Sequence, residues 1–452
     1  MHKLAFDVAL TPHGWREEVV VGIDADGRIA SVEEGRRAGV DHVRGAAIPG
    51  VANVHSHAFQ RGMAGLSEHA GQSDDSFWTW REVMYHFLAR LSPDDIEAIA
   101  ALAYVEMLEQ GFTVCGEFHY LHHDVGGGPY ANIAETAERI LAAASEAGIG
   151  LALLPCLYTH GNFGGQAPSP GQVRFLCDLD RFERLHAASR VAVARLPGAS
   201  IGIAPHSLRA VSLPDLAALV AAHRSGPVHI HVSEQTREVD DCRKAHHTTP
   251  IRLLADTVPL AARCCHLHAT HAHIAQRAPV AAAGATIGFC PITEANLGDG
   301  VFAMGDWLAR GGDFALGTDS NIDVTLAGEL RTLETTQRLA HRRRNVLAPR
   351  GGSTGRTLFD GALAGGARAL GLGKVGIEVG ARANIVVLDT GHDAFAGHRG
   401  DAILDALVFA GARGAIRDVW AGGRHIVQAG RHIHRDLVSA RFRHTVQKLV
   451  AG

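Results

Sequence analysis

Residues 51–57 read VANVHSH, an apolar strand-like run closed by two histidines one residue apart. Side chains two apart on a strand point to one face, so His55 and His57 can reach a single ion. Seven further runs of this kind follow: FTVCGEFHY from Phe112, GIGLALLPCLY from Gly148, SIGIAPHS from Ser200, PVHIHVS from Pro227, ARCCHLHATH from Ala262, ATIGFCP from Ala285 and DFALGTDS from Asp313. Helix-like stretches separate them. One is well signed: Ser92 is an N-cap, Pro93 takes the first helical position, Asp94 and Asp95 fill the first turn, and Gly111 follows Gln110 as the stop. Eight strands alternating with helices predict an α/β fold, a (β/α)8 TIM-type barrel with its chemistry at the C-terminal strand ends.

Outward from the barrel, VVVGID and IASVEE flank the turn residues Asp24 to Gly27, and VGARANIVVLD, ALVFAGA and IRDVWAGGRHIVQAG repeat the short β-branched pattern near the other end. The two ends are expected to pair as a small β-sandwich domain. The expected division is 1–48 with 372–433 for that domain, 49–371 for the barrel, and 434–452 for a closing helix whose Val438, Phe442, Val446 and Val450 recur every four residues. The segment THGNFGGQAPSPGQ after Tyr158 reads as a surface loop.

Hydrophobic residues make up 46% and charged residues 20% of the 452, the balance of a folded globular chain. Lys and Arg total 43 against 47 Asp and Glu, with no long block of one sign, so nucleic acid is not an expected partner. The N-terminus lacks a signal-like apolar core and no stretch is long enough to span a bilayer, so no membrane association and a cytoplasmic location are expected. Seven cysteines without a CxxC pair read as reduced core residues, not as a disulfide framework or zinc knuckle. Histidine is the outlier at 29 residues. Of these, His122, His123, His246, His247, His271 and His273 are read as loop or helix-start residues, and His229 as a hydrogen-bonded core residue.

An HxH pair alone divides evenly between structural and metal-binding roles. Position changes that balance, because the pair ends strand one while PVHIHVSE ends strand five with His229, His231 and Glu234, and GTDS ends strand eight with Asp319. Three imidazole nitrogens and a carboxylate oxygen at one barrel mouth suit a borderline-soft divalent ion, with zinc as the expected metal. Such an ion makes water nucleophilic near neutral pH if neighbours manage the proton, and Glu234 and His268 are placed to do so.

These residues resemble the metal-dependent amidohydrolase superfamily through IPGVANVHSH, HVSE, FCPITEANLGDG, GTDS and the closing GIEVGARANIVVLD. The resemblance implies His55, His57, His231 and Asp319 as metal ligands, with Glu234, His268 and Asp319 as the catalytic groups. SIGIAPHSLRA has no lysine where two-metal members carry a bridging carboxylated one, which implies one metal ion; His206 stands in that region and its role stays open. The HxxE of His231 and Glu234 is similar to the branch that deaminates amidine-like carbons. HSHAFQRGMAG, FWTWREVMY, EFHYLHH and APHSLRAV look most like the formiminoglutamate deiminases of bacterial histidine degradation. That implies hydrolysis of N-formimino-L-glutamate to N-formyl-L-glutamate and ammonia, in a family whose members are often homodimers. The alternatives are deamination of a purine or pterin ring and a non-catalytic scaffold, the latter opposed by the full ligand set.

An acidic small-molecule substrate needs fixed cations for two carboxylates, whereas a flat nucleobase favours aromatic walls. Arg209 at the mouth of strand four and Arg81 in the loop after strand one are the candidate cations. Gln60, Tyr120 and His206 complete the candidate substrate-binding set. For Arg81 and Arg61 a solvated arginine or surface ion pair stands beside the substrate role, and for Tyr120 wall packing does.

Overall fold

In the computed structural model, which describes residues 2–35, 39–71, 74–259 and 261–451, VANVHS is a strand, Val51–Ser56. Each of the seven other runs also holds one: Phe112–His119, Gly150–Leu157, Ser200–Ile201 with Ala204–Pro205, Val228–Val232, Cys264–His268, Thr286–Phe289 and Asp313–Leu316. They pair in parallel in the order five, six, seven, eight, one, two, three, four. Ile203 and Ser207 then bridge to Val228 and His231, which returns strand four to strand five and closes a TIM-type barrel. Strand four is split at Gly202 and Ile203, where the Ile203 amide donates to the Pro227 carbonyl at 3.0 Å and a Cβ on Gly202 would overlap that carbonyl.

Strands one and eight are stitched at the mouth. The amides of Thr318 and Asp319 donate to the His55 carbonyl at 3.0 and 2.9 Å, and the His57 amide returns a bond to the Asp319 carbonyl at 3.0 Å. The helix Pro93–Glu109 has the expected start: the Ser92 hydroxyl accepts from the Asp95 amide and Asp95 Oδ2 accepts from the Ser92 amide at 3.0 Å. Gly111 stops it with φ of 94°.

The termini form one separate eight-stranded sheet, His2–Thr11, Gly14–Ile23, Ile29–Glu34 and Asp41–Pro49 joined through Ile385–Leu388 to Ile416–Ala421, Arg424–Gln428 and Arg431–His432. Alternation assigns its two faces. Ala46, Ile48, Val386 and Leu388 pack into the main core, while Ala47, Ile385 and Val387 join Phe6, Val21 and Trp420 in a small core of the sheet's own. Positions 1, 36–38, 72–73, 260 and 452 of the expected division lie outside the described residues.

Three local readings need correction. ALVFAGA is not a strand: Ala402–Phe409 is a helix packed on the helices Leu326–His341 and Thr354–Leu370. Its apolar run is continuous because it is covered on several sides, and such a run carries no period. The closing helix, Arg435–Ala451, buries Val438, Thr445 and Leu449 with Phe442 packed beside them, and leaves Val450 55% exposed. A strict four-residue spacing drifts about 40° per step around a helix of 3.6 residues per turn, so the buried stripe alternates steps of four and three. The segment after Tyr158 is not all surface, since Gln172 is buried and donates to the Tyr158 hydroxyl at 2.5 Å.

Thr354–Leu370 rests directly on strands eight and one because it is glycine-faced there. A Cβ on Gly365 would overlap the Phe314 carbonyl and one on Gly361 the Phe314 ring. Gly365→Ala gains up to about 1 kcal/mol of helix propensity but forces the helix off the barrel, an overpacking cost of about 1–3 kcal/mol or more. A net lower denaturant midpoint is expected by equilibrium unfolding.

Candidate active site

The C-terminal ends of strands five, six and eight are backbone-strained. Ser233, His268, Ala269, Asp319 and Asn321 all hold positive φ, between 45° and 64°, without being glycine. Glu238 fixes one of them: its buried carboxylate accepts from the amides of Ser233 and Glu234 at 3.1 and 3.0 Å.

The expected ligands converge. Asp319 Oδ1 lies 3.2 Å from His55 Nε2 and 3.4 Å from His57 Nε2, and His231 Nε2 is 3.2 Å from His55 Nε2. His57 Nδ1 donates to the Phe118 carbonyl at 2.9 Å and His231 Nδ1 to the His206 carbonyl at 3.0 Å. A carbonyl only accepts, so both Nε2 atoms turn bare lone pairs to the centre. Lone pairs this close repel unless a positive charge lies between them, and a nitrogen and oxygen donor set fits a divalent ion such as zinc. Burial holds His57 and His231 below the ordinary histidine value and takes His55 to about 3, which keeps all three in the neutral form a ligand needs.

The expected proton-handling groups flank this centre. His268 donates Nδ1 to Glu294 Oε1 at 3.1 Å, and its buried Nε2 has no hydrogen-bond partner. Burial lowers its affinity for a proton, but Glu294, Glu234 and Asp319 outweigh that and raise it to about 10. Glu234 is buried, and desolvation raises its carboxyl above the usual range against the pull of His268 and Arg209. Asp319 is also desolvated, yet the His55 bond and the charges of His55, His57 and His268 hold it well below that range.

One cleft lies over these groups, lined by His57, His231, Glu234 and Asp319 together with Gln60, Arg81, Tyr120, His206 and Arg209. Every residue of the candidate substrate set therefore faces the cluster. Their settings differ from expectation in detail. Arg81 sits on a helix, Phe77–Leu88, with its guanidinium 4.7 Å from the Trp78 ring. Arg209 is only 7% exposed, its Nη2 3.3 Å from Glu234 Oε2, and its Nε has no hydrogen-bond partner. Tyr120 packs on Phe175 at 4.7 Å as a wall residue of the cleft, and its hydroxyl accepts from Gln60 at 2.8 Å. Arg61 is an ion-pair residue bound to Glu106 at 2.6 Å and does not line the cleft.

Aromatic walls do not distinguish the substrates as expected, because Phe77, Trp80, Tyr85, Tyr158 and Phe175 line the same cleft as the two arginines. His122 and His123 are buried, with their Nε2 atoms on the carbonyls of Cys156 and Leu176 at 2.9 and 2.8 Å, so they are core residues. His229 is a core residue too, bonded to the Ala369 carbonyl at 2.9 Å. Sequence reading missed the wall residues Phe77, Trp80, Met84 and Tyr85, although their helical spacing behind Ser76 was a usable signal. It also missed Glu238 and Glu294, which only the folded chain brings to Glu234 and His268.

The chain matches the model of the amidohydrolase family over residues 46–426 and that of the formimidoylglutamate deiminase HutF N-terminal domain over residues 6–46. The chain belongs to the amidohydrolase family. Formimidoylglutamate deiminase of Pseudomonas aeruginosa is 48% identical to it over 442 residues, 96% of each protein. An amidohydrolase from Brucella melitensis of known crystal structure is 48% identical and superposes with a TM-score of 0.96 over all of both chains. A zinc-bound adenosine deaminase from Xanthomonas campestris, 21% identical, shares the fold with a TM-score of 0.82 over 100% of this chain and 98% of its own. The family is metal-dependent, in keeping with the donor cluster of this amidohydrolase. Among its described residues no helix is long and apolar enough to cross a membrane.

Within the site, Glu294 holds His268 through Nδ1 at 3.1 Å, and a carboxylate behind an imidazole fixes the aim of its ring. Glu294→Gln is expected to lower kcat by roughly 10-fold with metal content unchanged, read by steady-state kinetics and elemental analysis on the same sample.

Proposed function

We infer that this amidohydrolase hydrolyses the C=N bond of N-formimino-L-glutamate, giving N-formyl-L-glutamate and ammonia in histidine degradation. The observation that carries this reading is the placement of two guanidinium groups, Arg81 and Arg209, in the same cleft as the metal-donor cluster and Glu234. The overall likeness to the Pseudomonas aeruginosa enzyme supports it.

His55, His57, His231 and Asp319 would hold one ion, zinc by the character of its donors, and its Lewis acidity makes a water molecule nucleophilic near neutral pH. The chain's residues do the rest. Arg209 and Arg81 bind the two carboxylates, Gln60, Tyr120 and His206 orient the formimino group, and the aromatic walls exclude bulk water. Asp319 would take the proton released by the attacking water together with His268, neutral once the charge of a bound ion offsets the pull of Glu294, Glu234 and Asp319 on it. Glu234 hands a proton to the departing nitrogen, so ammonia and not an amide anion leaves. A cytoplasmic location and a homodimer belong to the same reading.

The aromatic walls favour a purine or pterin ring as the second reading. Ammonia release decides between them: protein carrying about one zinc per chain is expected to act on N-formimino-L-glutamate far faster than on any amino-purine or amino-pterin. Preference for a ring substrate would overturn the reading, and full activity only with two tightly held ions would overturn the single-metal site.

A further inference from the structure

Cys290 has no part in the chemistry described so far. It follows strand seven, its backbone amide donates to Glu294 Oε1 at 2.9 Å, and its side chain is fully buried and in no disulfide. A ligand atom from each of Cys290, His268 and Asp319 lies within 4.8 Å of the others. Since Glu294 occupies His268 Nδ1, the nitrogen free to act as a ligand is the partnerless, buried Nε2. Asp319 also belongs to the triad with His55 and His57, so its carboxylate stands between two donor groups.

A thiolate, an imidazole and a carboxylate together select soft or borderline ions such as zinc and cadmium over magnesium or calcium. We propose that His268 and Cys290, with the Asp319 carboxylate shared, form a second, inhibitory seat for a thiophilic divalent ion, beside the seat of His55, His57, His231 and Asp319. An ion there occupies His268 Nε2 and removes it from proton transfer, so turnover stops. The Cys290 thiol, and the His268 Nε2 when protonated, each give a proton to solvent as their bonds to the metal form, and nothing is oxidised or reduced. This seat fills after the first, because it has fewer ligands of its own and faces the charge of the ion already bound.

The test adds cadmium stepwise to enzyme already holding one zinc per chain, following near-ultraviolet absorption and ammonia release together. A thiolate-to-cadmium band is expected with the second equivalent, in step with the loss of turnover. Cys290→Ala should lack the band, keep its turnover at one equivalent, and tolerate roughly 10-fold more cadmium or better. Cys290→Ser provides the same comparison if the alanine variant does not fold. Inhibition or a band that survives in the variant would overturn the proposal, as would inhibition of the parent enzyme without a band. The loss of turnover rests on the role of His268 in the deimination reading, whereas the spectral result does not. A failure of that reading would show separately, as no ammonia from N-formimino-L-glutamate before any cadmium is added.

Discussion

Glu234→Gln is expected to keep a full complement of metal and lose about 10²–10⁴ in kcat, the range that a positioned proton carrier supplies. The amide matches the carboxylate in shape, so the Ser233 and Glu234 amides remain clamped by Glu238 and the cleft keeps its form. What disappears is the ability to carry a proton to the departing nitrogen. Without it the leaving group must depart as a strongly basic anion. Glu234 is not in any of the donor triads among the described residues, so metal content is the deciding control. Loss of metal from the variant would make Glu234 a ligand, and near-normal turnover with metal retained would remove it from the mechanism. KM should change little, because the Arg209 contact to Glu234 Oε2 at 3.3 Å is replaced by a neutral hydrogen bond and the substrate cations stay in place.

The barrel was legible because its strands are short apolar runs bounded by turn residues, and because a parallel strand buried on both faces has no other way to look. ALVFAGA shows the limit of that signal, since a helix covered on several sides carries the same continuous apolar run as a buried strand. The ligand cluster was legible for a different reason: His55 and His57 are local, and the strand-end rule brings His231 and Asp319 to the same mouth. The supporting shell was not legible. Glu294 reaches His268 from 26 residues away and Asn53 bonds Thr318 across 265, and no local pattern records such pairings. Nor does any local rule place the five left-handed residues at the strand ends, where L side chains avoid that conformation and only the surrounding bonds enforce it. The aromatic walls were half legible. FWTWREVMY has the helical spacing of Phe77, Trp80, Arg81, Met84 and Tyr85, which places its arginine and its rings on one surface of one helix.

Arg209→Ala should lower kcat/KM on N-formimino-L-glutamate by about 10² or more, since breaking a buried, hydrogen-bonded charge pair costs about 2–5 kcal/mol. The guanidinium is buried against Phe77 and Trp78, at 5.9 and 5.8 Å from their rings, and the charges of Glu238 and Glu234 outweigh burial and keep it protonated. Its Nε, 4.0 Å from Glu238 and without a hydrogen-bond partner, is a donor left over for a ligand. On the proposed reading Arg209 serves two groups at once, the substrate carboxylate and Glu234, and the variant should show both losses. The substrate part appears as a higher KM. The Glu234 part appears in kcat, because an uncompensated buried carboxyl keeps its proton more tightly and delivers it less readily. A formamidine without carboxylates separates the two parts, for it has no carboxylate to lose and should register only the fall in kcat. Arg209→Lys restores charge near Glu234 but not the fork, so it should recover kcat before KM. Equal losses in kcat/KM on substrates with and without carboxylates would mean that Arg209 only supports Glu234 and the fold, and the carboxylate anchor would then have to be Arg81 alone.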